Sequence, residues 1–324
     1  MDLYGQEPEA GLLASFIPRL EYRSVIDVGA ERGAFAEEML RAGSDAVHMI
    51  EPEPGNVAFL REHFRDDTRV TVHACAVSDR DGQLRLHTSE NPDGAPVTFG
   101  HTVLDRPDTD EIAWRETITV DARSLASLVE AGEIPARAGI LKVDTEGHDL
   151  AVVAGMGATL ECDVVMVEHW SDLPHSLGPC PWSTEEMLSA LRAHGFSDFA
   201  FIVHRGEFVI LQWNDGVVPV GCMGNLVFLH DRVVEHFLPA VLACASSLAE
   251  RAVALAEVQA NEAHDRVVVI DELSRENDLL AKAAHERLAV IEDLTRTAEE
   301  RLALINELTQ TADERLATIE ALTR

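Results

Sequence analysis

The run Val25-Ile26-Asp27-Val28-Gly29-Ala30-Glu31-Arg32-Gly33 decides the fold of this chain. It is an apolar stretch with an acid inside it, closed by a turn bounded by two glycines. Two later runs share the design, Ile50-Glu51-Pro52 and Leu141-Lys142-Val143-Asp144-Thr145-Glu146-Gly147. Short continuous apolar runs read as strands buried on both faces of a parallel sheet, and ligands of open α/β sheets sit beyond the carboxyl ends of such strands. Three acidic strand ends therefore predict one shared site.

Working outward, Ser24 to Val28, Ala46 to Glu51, Arg69 to Ala76, Gly139 to Asp144 and Val164 to Glu168 read as strands rich in Val and Ile. Between them Ala34 to Ala42, Pro54 to Phe64, Leu150 to Leu160 and Thr184 to His194 carry helical periodicity. Such alternation predicts βαβ units in a mainly parallel sheet covered on both faces. Thr88 to Asp110 interrupts the pattern with prolines, glycines and polar groups, and reads either as a lid over the site or as a surface insertion. Asp198 to Val203, Glu207 to Gln212 and Asn225 to His230, separated by Arg205-Gly206 and Asp215-Gly216, predict an antiparallel edge that closes the sheet.

The chain has 324 residues of which 46% are hydrophobic, enough for one sizeable core plus an appendage. Its 26 basic and 57 acidic residues give a net charge of −31, which repels nucleic-acid phosphates and anionic membrane surfaces. The five cysteines include no C-x-x-C pair, so neither a disulfide framework nor a zinc site is implied and a reducing cytoplasm is expected. Asp2, Glu7 and Glu9 give the first twenty residues the wrong charge pattern for a signal peptide, and no segment reads as long and apolar enough to span a bilayer.

From about Phe237 the text changes. Ala, Leu, Glu and Arg dominate, and a repeat begins at Arg266, Arg287, Arg301 and Arg315. The intervals of 21, 14 and 14 residues are multiples of seven, as a left-handed coiled coil requires. Leu288, Ile291, Ala298, Leu302, Ile305, Ala312, Leu316 and Ile319 fall on one seam, with Thr295 and Thr309 filling its remaining positions. The expected organisation is a globular domain over 1–235 and a helical coiled-coil tail over 236–324, with residues 245–324 joining copies of the chain into a homo-oligomer.

In the first loop, Gly29 lets backbone approach a ligand with no Cβ in the way, and Gly33 lets the next helix pack close to the strand. The loop lacks the G-x-G-x-x-G triplet and a following Lys-Ser or Lys-Thr, and Asp27 and Glu31 repel phosphate while suiting an ammonium or sulfonium group. Glu51 ends the second strand 22 residues after Gly29, the spacing at which a carboxylate accepts bonds from both ribose hydroxyls of an adenosine. Val77-Ser78-Asp79, after the third strand, is placed to border the adenine or to form a plain turn. Lys142 and Asp144 share a strand face and Glu146 sits in the turn that follows. Either they form a structural ion pair, or Asp144, Glu146 and His169 are acid–base candidates with Lys142 orienting the acceptor. Carboxylates at Asp144, Glu146 and Glu168 suit Mg2+ chemically, but nothing in the spacing demands a metal and none is assigned. Trp170 stands beside His169 as either an apolar wall or core.

Asp27-Val-Gly-Ala-Glu-Arg-Gly33, Glu51-Pro52, Ala76-Val-Ser-Asp79 with Gly82, Leu141-Lys-Val-Asp-Thr-Glu-Gly147 and Val167-Glu-His169 together resemble the FkbM family of S-adenosylmethionine-dependent methyltransferases, over about Ser24 to His230. Glu31-Arg32 departs from the family's common Asn-Ile pair, and the tail lies outside the resemblance. The likeness implies a doubly wound, mainly parallel, seven-stranded Rossmann-like sheet, followed here by the helical coiled coil. It implies S-adenosylmethionine as cofactor, held by Asp27, Gly29, Ala30, Gly33, Glu51, Pro52, Val77, Ser78 and Asp79. It further implies O-methylation of a sugar, glycan or natural-product hydroxyl, with glycan-assembling partners in prospect. The rival reading is a methyltransferase-fold scaffold, weak or inactive, that gathers partners through its tail.

Overall fold

The computed structural model describes residues 8–91, 93–95, 97–106, 108, 112–171, 179–205, 208–213 and 222–260, with residues 275, 278, 279, 281, 282 and 286–288 beyond them. The chain divides into a unit spanning Met1–Leu273 and a second spanning Ser274–Arg324. In the first unit α1 (Pro8–Phe16), β1 (Ser24–Val28), α2 (Ala34–Arg41), β2 (Ala46–Ile50), α3 (Pro54–His63) and β3 (Val70–His73) come first. They are followed by β4 (Ala76–Val77), β5 (Gly82–Glu90), β6 (Ala113–Arg123), α4 (Leu125–Glu130), β7 (Arg137–Val143) and α5 (Asp149–Ala154). Then come β8 (Glu161–Trp170), α6 (Thr184–Arg192), β9 (Phe199–Arg205), β10 (Phe208–Trp213), β11 (Met223–Leu229) and α7 (Val234–Ala260).

The main sheet runs β10-β9-β11-β8-β7-β1-β2-β3. From β3 through β8 every pairing is parallel, while β11 is antiparallel to both β8 and β9, and β10 is antiparallel to β9. The expected mixed α/β architecture with an antiparallel edge is present, but the sheet has eight strands rather than seven. The extra strand is β10, which pairs with β9 from Phe208↔Arg205 to Trp213↔Ala200. Helix α7 packs against this strand.

The central strands are buried on both faces, as their composition requires: Val25, Ile26 and Val28 of β1 and Ile140, Leu141 and Val143 of β7 are 2% exposed or less. Beyond those strands a second sheet, β4-β6-β5, stands where the sequence suggested only connection. Its β5–β6 hairpin pairs Gly82↔Ala122 through Glu90↔Ala113, with a register shift between Thr88 and Ser89. The signal was the alternation of Leu84 and Leu86 with Gln83, Arg85 and His87, a period of two. The interruption read as Thr88 to Asp110 therefore starts later, after β5, and a bridge between His87 and Thr102 ties part of it back to the hairpin.

Helix α7 corrects one expectation: its segment Val234–Ala256, with a mean hydropathy of 1.4 over 18 residues, is long and apolar enough to cross a bilayer. Here a stripe of Phe237, Val241, Cys244, Leu248, Ala252 and Ala256 is buried, and the helix lies against α1 and β10. Its Phe237 ring sits 4.5 Å from that of Phe16. The stripe repeats every three to four residues, the period of an amphipathic core helix. The boundary expected after residue 235 falls just inside this helix. Of the coiled-coil repeats, Arg287 and Leu288 are described, with a Lys282–Glu286 pair at 4.0 Å one turn earlier; the seam from Ile291 onward lies outside the described residues.

Candidate active site

Backbone geometry assembles the site. The carboxyl ends of β1, β2 and β7 are laced together: Gly29 N–H donates to the Ile50 carbonyl at 3.0 Å, and Asp144 N–H donates to the Val28 carbonyl at 3.0 Å. Gly29 has φ of +76°, and a Cβ there would lie 1.8 Å from the Asp144 carbonyl oxygen, so only glycine fits. Gly33 has φ of +84° and caps α2, and a Cβ there would meet the Phe64 ring at 2.6 Å. Among the described residues the positive-φ non-glycines are Glu31 and Glu146, one in each acidic loop. Backbone held in that region costs free energy and is found where a loop is built for function.

These strand ends open on a pocket lined by Gly29, Glu31, Glu51, Pro52, Asn56, Val77, Asp144, Glu146 and His148, among others. It encloses about 700 Å3, counted out to its open mouth. The segment after β5 closes one side: Thr98, Phe99, Gly100, His101 and Val103 line the pocket. Thr98 donates its hydroxyl to Glu31 at 2.5 Å and accepts from Asn56 Nδ2 on its carbonyl at 2.8 Å. Of the two readings of this segment, the structure gives the one that covers a site.

Glu51 is 4% exposed. Its Oε2 accepts from Glu31 N–H at 2.9 Å and its Oε1 from Glu53 N–H at 2.8 Å. Burial pushes its pKa up to about 7, against the pull of those two donors. Each oxygen retains acceptor capacity toward the pocket it lines. Arg32, the unusual neighbour of Glu31, turns away and stacks 4.8 Å over the Phe59 ring.

Lys142 joins two of the strand ends. Its Nζ donates to the Gly29 carbonyl at 2.9 Å and stands 3.2 Å from Asp27 and 3.4 Å from Asp144. Burial alone would lower Lys142, but Asp27 and Asp144 outweigh it and hold the ammonium charged. Asp27 is wholly buried and its pKa is raised by that burial, which exceeds the effect of Lys142. Asp27, Ala30, Gly33 and Lys142 thus support the pocket from beneath, while Gly29, Glu51, Pro52, Val77, Asp144 and Glu146 face it.

Beyond β7, burial and then the adjacent Asp144 charge push Glu146 up to about 7. Arg106 anchors the loop, donating to the Glu146 carbonyl at 2.5 Å and stacking 5.0 Å over Trp170, which is core rather than an exposed wall. Asp149 accepts from Thr145 N–H at 3.3 Å and Gly147 N–H at 3.1 Å, and so fixes the turn that presents Glu146. Burial and Asp144 raise it to about 7. Ser78 hydrogen-bonds His148 Nε2 at 2.9 Å, while the Asp79 side chain is about half exposed and pairs with Arg80 at 3.7 Å.

The structure does not bring His169 to this group. Consecutive strand residues face opposite sides, and Glu168 takes the side toward Asp144 and Glu146. His169 is 6% exposed, packs 4.6 Å from Trp182 and has its pKa lowered to about 4 by burial. Sequence reasoning missed Arg106, His148 and Asp149. Only Asp149 left a signal, as an acid in the first turn of a helix four residues after Thr145.

No curated protein matches this sequence. Among solved structures, the chain is similar to a precorrin-6y C5,15-methyltransferase from Geobacter metallireducens at 12% identity and a TM-score of 0.38, covering 71% of this chain and 91% of that one. It is similar to a SAM-dependent methyltransferase from Aquifex aeolicus at 12% identity and a TM-score of 0.35, covering 71% and 89%. The profile of the family described as Methyltransferase FkbM domain matches residues 27–197, from the buried acid of β1 to beyond α6. That match spans more than half of the 324 residues and takes in every pocket-lining strand end, so this chain belongs to the FkbM methyltransferase domain family.

Proposed function

We propose that this chain transfers a methyl group from S-adenosylmethionine to a hydroxyl oxygen of a sugar, glycan or polyketide-like acceptor. The observation that carries the cofactor is Glu51, a buried carboxylate held by two backbone N–H groups and facing a pocket whose floor at Gly29 has no room for a Cβ. That combination suits an adenosine ribose, and the lack of a basic residue in the first loop other than the averted Arg32 disfavours a pyrophosphate.

S-adenosylmethionine, when bound, supplies an electrophilic methyl group on a sulfonium. Glu51 would hold the ribose hydroxyls, Val77 and Pro52 the faces around the base, and Glu31 the cationic end. Asp144 and Glu146 stand at the far strand end, where an acceptor hydroxyl would lose its proton. Lys142 keeps Asp144 in place to take that proton, and Glu146, at about 7, can pass it on near neutral pH. His169, neutral and enclosed by aromatic rings, acts as packing. The tail from residue 245 is proposed to join copies of the chain and to meet glycan-assembling partners, and five cysteines outside any disulfide suit a reducing cytoplasm.

Calorimetry with S-adenosylmethionine and a labelled-methyl assay on sugar and glycan acceptors test the reading. Micromolar cofactor binding that is lost in Glu51→Ala is expected. Preference for NAD, or no label transfer to any hydroxyl acceptor, would overturn it.

A further inference from the structure

We propose that Asp144, Glu146 and Glu168 form a binding site for a hard divalent cation at the acceptor end of the pocket. Two neighbouring parallel strands build it. β7 and β8 pair Val143 with Val167, so Asp144, just past the end of β7, comes beside Glu168, which stays in β8 opposite Asn225, and the left-handed turn at Glu146 brings in the third carboxylate. One oxygen from each acid lies within 4.8 Å of the others. Two ligands on opposite sides of one ion are separated by twice the metal–oxygen distance, about 4.2 Å for Mg2+ and roughly 4.6–5.2 Å for Ca2+. Three oxygens no more than 4.8 Å apart are close enough to share one ion of this class once the side chains draw in around it.

The independent observation is Glu168 itself. Its Oε2 is sealed from solvent and has no hydrogen-bond partner, and its carboxylate places one oxygen in the cluster. Buried carboxylate oxygens without a partner are costly and rare, and a bound cation would supply one. The protein's own cations do not supply it. Lys142 is shared between Asp27 and Asp144, and Arg106 stands 3.9 Å from Glu146. Both act on Glu168 through space, but among the described residues no cationic nitrogen comes within 4.0 Å of its carboxylate. An all-oxygen, all-anionic donor set selects Mg2+, Mn2+ or Ca2+ over zinc or copper.

Three protein ligands leave half of an octahedral shell open. Facing an acceptor, the open positions suit two adjacent oxygens of a vicinal diol, and the bound hydroxyl becomes more acidic there. An ion held by one oxygen of Asp144 leaves the other to receive that proton. This role rests on the methyl-transfer reading above, whereas the ion site itself does not.

The full-length chain, stripped with a chelator, is titrated with MnCl2 alone in about 0.15 M salt to screen its surface acids, and free Mn2+ is read by electron paramagnetic resonance. One Mn2+ per chain, with Kd below about 100 µM and displaced by Mg2+ or Ca2+, is expected. Glu168→Gln and the less buried Glu146→Gln should each weaken it at least tenfold, and Asp45→Asn, a distant surface acid, should not. Binding no tighter than to exposed acids, or unchanged affinity in the Glu146 variant and in folded Glu168→Gln, would overturn the proposal. S-adenosylmethionine calorimetry on the same metal-free protein separates the two ideas: lost cofactor binding with retained Mn2+ sinks the methyl-transfer reading and leaves the ion site standing.

Discussion

Gly29 and Asp144 touch backbone to backbone: the place a Cβ would take on Gly29 is 1.8 Å from the Asp144 carbonyl oxygen. The cofactor loop and the proposed catalytic loop are thus one joint. Gly29→Ala adds both that collision and a strained positive φ, worth about 1–3 kcal/mol for the strain alone. Urea unfolding should show a loss of at least about 2 kcal/mol, and calorimetry should show cofactor binding abolished. Wild-type affinity in this variant would refute the shared joint.

Glu51 gives a prediction with a definite sign. Its pKa is raised from 4.5 to about 7 by folding, so between these values the folded state holds a proton that the unfolded state releases. Stability from this group is therefore lost as pH rises through that window. Measured against Glu51→Gln, which cancels all other titrations, wild type should lose up to about 3 kcal/mol between roughly pH 4.5 and 7 and stay level above it. Parallel stability curves for the two proteins would contradict it.

Lys142→Met leaves the wholly buried Asp27 without its cation. Breaking a buried pair from one side costs about 3–5 kcal/mol, whereas removing both partners costs far less. The double variant Asp27→Asn with Lys142→Met should recover most of the loss in the same urea titration. Equal losses in single and double variants would show that the pair matters through packing alone.

Asp144→Asn should keep cofactor affinity within a few-fold and lower methyl transfer by about 10²–10⁴, the usual weight of a proton acceptor. Retained turnover would move the role to Glu146.

Helix α7 sets where the chain can be cut. A chain ending at residue 260 should melt cooperatively and run as a monomer in light scattering. One ending at residue 233 exposes the partners of Phe237, Val241 and Leu248, each worth about 1.5–3 kcal/mol of burial, and should not fold. An oligomer that persists in the chain ending at residue 260 would exclude association through the tail.

The parallel strands and their order of use were legible because residues such as Ile26, Leu141 and Val165 are buried on both faces and leave uninterrupted apolar text. Glu51 and the Lys142–Asp144 pair were legible because each is a charge at the end of such a run. The β5–β6 hairpin was missed because Leu84 and Leu86 are the only large apolar residues of β5, too short a period to stand out. Arg106 was illegible for another reason: its contact with Glu146 spans 40 residues through an irregular segment, and no local pattern announces it. His169 was misplaced by proximity, since one step along a strand changes the face.

The Phe16–Phe237 contact bears on how the protein is made. The two rings are 221 positions apart, and the N-terminal helix is synthesised first yet packs against the last helix of the body. At ribosomal rates of about 5–20 residues per second, α1 waits on the order of 10–45 s for its partner. Until then Phe16 lacks its aromatic neighbour, so the nascent chain carries an open seam that the arrival of α7 closes.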